Sequence, residues 1–132
     1  LQFAFEGGAD NPYLPHNHII RCVVYTGTHD NDTTLGWWNT LPEEQKRHVL
    51  DYLGKPGEAM PDPLMRAALM SVARLAVVPM QDILRLGSEA RMNRPSTSEG
   101  NWRWRFQWVQ LKPELEERYA RFNGIYGRRL KP

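Results

Sequence analysis

The chain has 132 residues, 41% apolar and 24% charged, the range of a folded domain or a piece of one. Its 17 Lys and Arg stand against 15 Asp and Glu, and a formal charge of +2 is too small to imply nucleic acid or an acidic membrane surface as a partner. No apolar stretch approaches the ~20 residues of a membrane span, and the first residues lack the basic and apolar regions of a signal peptide. The single cysteine, Cys22 beside Val23 and Val24, reads as a buried structural thiol in a reducing, cytoplasmic setting.

The chain begins Leu1-Gln2-Phe3-Ala4-Phe5, an apolar run that reads as a buried strand without an initiator Met, so the expectation is a fragment. A loop rich in breakers follows from Glu6 to Pro12. Ile19 to Tyr25 is β-branched and aromatic with little alternation, as in a parallel strand buried on both faces, and it stops at the polar segment Thr26 to Thr34. Pro42, Glu43 and Glu44 then open a helix whose stripe Val49, Leu50 and Leu53 ends at Gly54. A second helix is predicted over Asp62 to Arg74, a strand over Leu75 to Val78 ended by Pro79, and a short helix over Met80 to Leu86. Gly87 to Asn101 is a long loop of the kind that often carries function. A last helix, Pro113 to Tyr126, puts Leu115, Tyr119, Phe122 and Tyr126 on one face. Alternating parallel-type strands and helices indicate an α/β sheet in one domain, with polar residues gathered just after the strand ends, where βα barrels place their active sites.

Five Trp and five Tyr, several in irregular segments, suit flat ligands such as sugar rings, though closing a small core accounts for about half of them equally well. The chemistry concentrates in His29-Asp30-Asn31-Asp32. A carboxylate and an imidazole at a strand end can bind sugar hydroxyls and stabilise a developing oxocarbenium ion. His29 with Asp30 and Asp32 could also hold a divalent metal, a weak signal without further His or Cys at ligand spacing. The bland alternative is that both aspartates cap a turn or helix, and taken alone the segment favours that one.

The run from Val24 through Thr28-His29-Asp30-Asn31-Asp32 to Trp37 resembles, nearly letter for letter, the signature of the amylomaltases, the disproportionating 4-α-glucanotransferases. Asn11-Pro12-Tyr13-Leu14-Pro15-His16-Asn17 before it, and Ala90-Arg91-Met92-Asn93 with Gly100-Asn101-Trp102-Arg103-Trp104-Arg105 after it, are similar to the same family in the same order. The resemblance implies an elaborated (β/α)8 barrel of which this chain is the C-terminal portion. Leu1 to Phe5 would be its sixth strand, Ile19 to Tyr25 its seventh and Leu75 to Val78 its eighth. It implies transfer of α-1,4-glucan segments between maltooligosaccharides by a retaining double displacement, with no cofactor and no metal. Asp30 would be the transition-state-stabilising carboxylate and His29 its hydroxyl-binding neighbour. The nucleophile and the acid/base would belong to an N-terminal part of the protein outside this chain, which alone would be inactive. Glu6, after the sixth strand, would be a loop or rim residue. His18 stands where the family has an aromatic Tyr, and Ser96 where it more usually has Gly.

The remaining candidates keep two readings each. His16 either lines the sugar site or braces its loop, and Asn93 and Asn101 either bind sugar hydroxyls or satisfy the backbone of the long loop. One of Trp37 and Trp38 should pack under the signature loop. Of Trp102 and Trp104, one should pack and the other contact glucan, Trp102 being the site candidate. Arg128, Arg129 and Lys131 read as a solvated tail. The competing functions are a stand-alone glucan-binding module without chemistry and a small metal-dependent hydrolase built on His29, Asp30 and Asp32.

Overall fold

The structure, a computed structural model, describes residues 1–129, so Lys131 lies outside the described residues. Its sheet has two parallel strands, β1 (Val23–Tyr25) and β2 (Leu75–Val77), in the register Val23 to Leu75, Val24 to Ala76 and Tyr25 to Val77. Among the described residues it is accompanied by five α-helices: α1 (Thr34–Thr40), α2 (Glu43–Tyr52), α3 (Asp62–Met70), α4 (Met80–Ile83) and α5 (Pro113–Ile125).

Both expected strands form and pair in parallel, but they are shorter and less covered than their composition suggests. Ile19 and Ile20 precede β1 and are 66% and 70% exposed, and only Val24 of β1 is buried. Val24 and Ala76 face Ala68 and Ala73, whereas on the opposite face, by alternation, Val23, Tyr25 and Leu75 are exposed and Val77 is half-buried. The expectation of a strand buried on both faces is therefore corrected to one buried face. The first expected strand is also corrected. Gln2–Phe5 is a turn of 3-10 helix, and only Leu1 keeps a sheet-like contact, its nitrogen donating to the Tyr25 carbonyl at 2.5 Å. The turn directs its side chains to partners distant in sequence: Gln2 Nε2 donates to the Asp32 carbonyl at 2.7 Å, and the Phe5 ring lies 6.0 Å from Trp37 and 5.6 Å from Tyr52.

The centre of the packing is α3, nearly every residue of which is buried. Leu64 meets Val49 of α2 and Met60; Ala68 lies under the sheet; Met65 and Leu69 meet Phe122 of α5. The small side chain of Ala68 allows the helix to approach the sheet closely. Pro63 sits at its first turn, where a missing N–H costs nothing. The helix stops at Met70 rather than at Arg74 because Ser71 turns extended and its Oγ accepts from the Ala73 N–H at 3.0 Å. The same Oγ pairs with His18 Nδ1 at 2.6 Å, while His18 Nε2 reaches the Tyr13 carbonyl, so the imidazole ties the 13–18 segment to the end of α3. Likewise α4 ends at Ile83 rather than Leu86, since Arg85 adopts a positive φ of 57°.

Four residues read from sequence resolve clearly. Trp37 and Trp38 both pack, partly buried, against the cluster of Val49, Met60 and Leu64. Cys22 is half-buried and its thiol donates to the Ile19 carbonyl. Ser96 carries a φ of 65°, the left-handed conformation that glycine adopts without cost, which explains why glycine suits that position better.

Arg128 is not a solvated residue. Its guanidinium donates to the carbonyls of Leu69, Ser71 and Ala73 at 2.9, 2.7 and 2.8 Å, tying one carbonyl of the last turn of α3 and two of the segment that follows it with charge-assisted bonds. Arg129 instead folds back onto one carbonyl of α5, that of Ala120. Arg128→Ala should therefore destabilise the fold by about 1–3 kcal/mol, and Arg129→Ala by less than about 0.5 kcal/mol. Thermal unfolding of the two variants of the complete protein checks the difference.

Candidate active site

The segment between β1 and α1 is an irregular loop, yet each part of it has a partner. At its first end the Thr26 hydroxyl donates to Asp82 Oδ2 at 2.6 Å. At its other end Thr34 gives Asp82 two more bonds, from its N–H to Oδ1 at 2.8 Å and from its hydroxyl to Oδ2 at 2.7 Å. Thr26, Thr34 and Asp82 are all buried. Between these ends, Thr28 N–H and hydroxyl donate to Asn31 Oδ1, an Asx-type turn that presents His29 and Asp30 at its tip. Asp32 accepts from the Thr33 N–H at 2.8 Å and from the Ser88 hydroxyl at 2.7 Å. Thr33 caps α1 by accepting from the Gly36 N–H at 3.0 Å. Gly36 is required here, because a Cβ on it would fall 2.6 Å from Asp32 Oδ1.

The Asp30 carboxylate accepts from Asn93 Nδ2 at 2.7 Å and lies 3.3 Å from His29 Nε2, both contacts on Oδ1. Oδ2 is left without a hydrogen bond among the described residues, and the side chains of His29 and Asp30 are 55% and 51% exposed, so the carboxylate is open to a ligand. Arg91 fixes the backbone beneath it, donating from Nη2 to the Asp30 carbonyl at 2.7 Å and from Nε to the Asn93 carbonyl at 2.9 Å. Asp30, Asn93 and Arg91 thus form a closed set of bonds between the β1 loop and the long loop.

Beside this set opens a cleft of about 550 Å³ at the C-terminal ends of both strands, with Tyr25, Val77, Pro79, Met92 and Trp102 as its apolar wall and His29, Gln81 and Arg91 among its polar groups. The Trp102 ring lies 5.1 Å from the His29 imidazole, tilted by 33°. Its backbone takes a φ of 62°, secured by its N–H donating to the Met92 carbonyl at 2.7 Å. An exposed aromatic plane next to a carboxylate, an imidazole and a guanidinium is a surface for a flat, hydroxyl-bearing ligand.

Of the residues singled out by sequence, His29, Asp30, Asn93 and Trp102 are brought together. His16 is not. Its ring nitrogens engage Tyr52 Oη and the Ala9 carbonyl, each at 3.0 Å, and it borders a different cleft with Tyr52 and Pro56. Asn101 also serves its own loop, accepting from the Arg94 N–H and donating to Thr97. In the structure both brace their loops, one of the two readings that the sequence left open for each. Trp104 stacks loosely on Phe106 and does not border the cleft. Glu6 belongs to an open surface with Gly8 and Tyr13, away from Asp30. The third ligand of the metal reading is taken, since Asp32 is bonded to Thr33 and Ser88, and among the described residues no three His, Cys, Asp or Glu side chains are grouped to hold an ion. Asp82, Ser88 and Arg91 were not given roles from sequence. Arg91 sits in a stretch that carried the resemblance, but Asp82 stands in an unremarkable segment and only the packing reveals it.

Comparison with known proteins places these features. The model of the family described as 4-alpha-glucanotransferase matches residues 1–112. The chloroplastic/amyloplastic 4-alpha-glucanotransferase of Oryza sativa subsp. japonica is 54% identical over 133 residues, covering 97% of this chain and 22% of that protein. The 4-alpha-glucanotransferase of Thermus thermophilus is 53% identical over 122 residues, covering 86% of this chain and 24% of that protein. Among solved structures, an amylomaltase from Streptococcus agalactiae in complex with acarbose superposes with a TM-score of 0.88 at 31% identity, over 96% of this chain and 26% of that one. The chain spans about a quarter of the length of the relatives it matches. It belongs to the 4-alpha-glucanotransferase family.

Proposed function

We propose that this chain supplies one wall of the active site of a 4-α-glucanotransferase, with Asp30 as the carboxylate that stabilises the transition state and His29 and Trp102 as groups that meet the sugar. The substrates are α-1,4-glucans and maltooligosaccharides, and the reaction is a retaining double displacement. The observation that carries this reading is the placement of Asp30, held by Asn93 and His29 at the C-terminal end of a parallel strand, with one oxygen open beside an aromatic cleft. A carboxylate fixed before the reaction costs no reorganisation as positive charge develops on the sugar ring, which is the condition for a large electrostatic contribution.

The nucleophile and the acid/base then belong to the part of the protein outside this chain. The parallel pairing of β1 with β2 supports placing them as the seventh and eighth strands of a (β/α)8 barrel. The largely open sheet face of Val23, Tyr25 and Leu75, with Val77 half-buried beside them, suits the interior of that barrel, where side chains from further strands would cover it.

Three outcomes follow. In the complete protein, Asp30→Asn should lower turnover of maltotriose disproportionation roughly a hundred- to a thousand-fold with a smaller change in KM; near-normal turnover would remove Asp30 from the mechanism. His29→Ala should reduce kcat/KM by about tenfold or more while leaving the melting temperature unchanged, because the ring is half exposed; a variant that fails to fold would show a structural role. Finally, residues 1–132 expressed alone should show no disproportionation, because a retaining reaction needs two carboxylates about 5 Å apart on either side of the bond. That protein should also lack a cooperative thermal transition, since the largely open face and open strand edges favour association. A soluble monomer with a sharp transition would refute the folding half.

A further inference from the structure

We propose that Asp82 is a positioning residue for the catalytic loop, acting through Thr26 and Thr34 to set where Asp30 stands; this rests on the reading of Asp30 given above. Asp82 is 1% exposed, does not border the cleft, and has no route to a sugar. Its carboxylate nevertheless receives both ends of the segment that carries His29 and Asp30. Oδ2 accepts the hydroxyls of Thr26 and Thr34, and Oδ1 accepts the Thr34 N–H. The residues between, 27–33, are therefore closed into a loop whose two ends meet at one carboxylate.

The carboxylate is delivered from the neighbouring strand. Pro79 ends β2 and precedes α4, so the start of the helix is set, and Asp82 in its first turn projects across to the end of β1. The distance between the two strand ends is thereby converted into the position of the loop. A neutral pair of apolar side chains could fill the same volume, but it would not choose one loop conformation. A buried carboxylate that needs its donors does, because any conformation that withdraws a threonine takes away one or two of its three hydrogen bonds in the interior. Reacting groups displaced by about 1 Å lose on the order of a hundred-fold in rate, so a loosened loop should appear in kcat more than in KM.

The test uses the complete protein and maltotriose disproportionation, with Asp30→Asn as the reference. Thr26→Val and Thr34→Val, alone and combined, remove hydroxyl donors while keeping side-chain volume. The combined variant should lose about a hundred-fold in kcat with KM within about threefold, at temperatures where its melting curve shows it folded. Thr26→Ser, which keeps the donor, should restore activity to the Thr26→Val position. Asp82→Ala should behave like the combined variant if it folds. Asp82→Asn should recover much of the loss, since an amide oxygen can still accept the Thr34 N–H and its nitrogen can donate to hydroxyls that rotate to receive it. If the combined valine variant is folded and keeps full kcat while Asp30→Asn is impaired, the positioning role is overturned and the assignment of Asp30 survives. If Asp30→Asn is itself unimpaired, the reading of the site fails first.

Discussion

A single buried carboxylate sets the arrangement of this site. Asp82 accepts bonds from Thr26 and Thr34 in a place where, among the described residues, it is closed off from solvent, and those two threonines mark the end of β1 and the start of α1. An interior charge of this kind is tolerated only when its oxygens are satisfied. The loop between the threonines has little freedom as a result. His29, which lines the cleft, and Asp30, which stands beside it, are both carried on this loop.

A second set of bonds locks the loop from the other direction. Arg91 holds the carbonyls of Asp30 and Asn93, Asn93 holds the Asp30 carboxylate, and Ser88 holds Asp32. The long segment after β2 is thus not merely a connection. Its first half serves as the counterpart of the β1 loop, and its return at Trp102 supplies the aromatic plane of the cleft. Two loops from adjacent parallel strands, each irregular, become rigid by bonding to one another, in keeping with the usual location of sites at the C-terminal edge of parallel sheets.

Much of this was legible in the residues, but unevenly. Helices α2, α3 and α5 followed from apolar spacing and Pro at their first turns, with ends misplaced where a side chain intervened, as Ser71 does for α3. α1 was given no element from sequence, because Gly36 and Asn39 weaken its helical pattern; its start is set by Thr33, which accepts from the Gly36 N–H. Leu1 to Phe5 has strand composition, yet its side chains find partners in Asp32, Trp37 and Tyr52, and the chain turns. In the site, His29, Asp30, Asn93 and Trp102 could be picked out because they stand in a long polar run and its companion stretches. His16 and Asn101 could not be told apart from them, since an imidazole or amide that braces a loop and one that binds a sugar have the same chemistry; only their partners differ. Asp82 was invisible for the opposite reason, as a lone acid in a short helix whose partners lie far away in sequence.

The central claim is that the loop bearing Asp30 is held rigid before any sugar arrives. Amide hydrogen exchange of the complete, unliganded protein measures this directly. The account predicts that the Thr34 and Gly36 amides, bonded to Asp82 and to the Thr33 hydroxyl, exchange as slowly as those of α3, and far more slowly than the exposed residues 95–100 of the long loop. Exchange at Thr34 and Gly36 as fast as in that exposed segment would show a loop that is ordered only by substrate, and would contradict it.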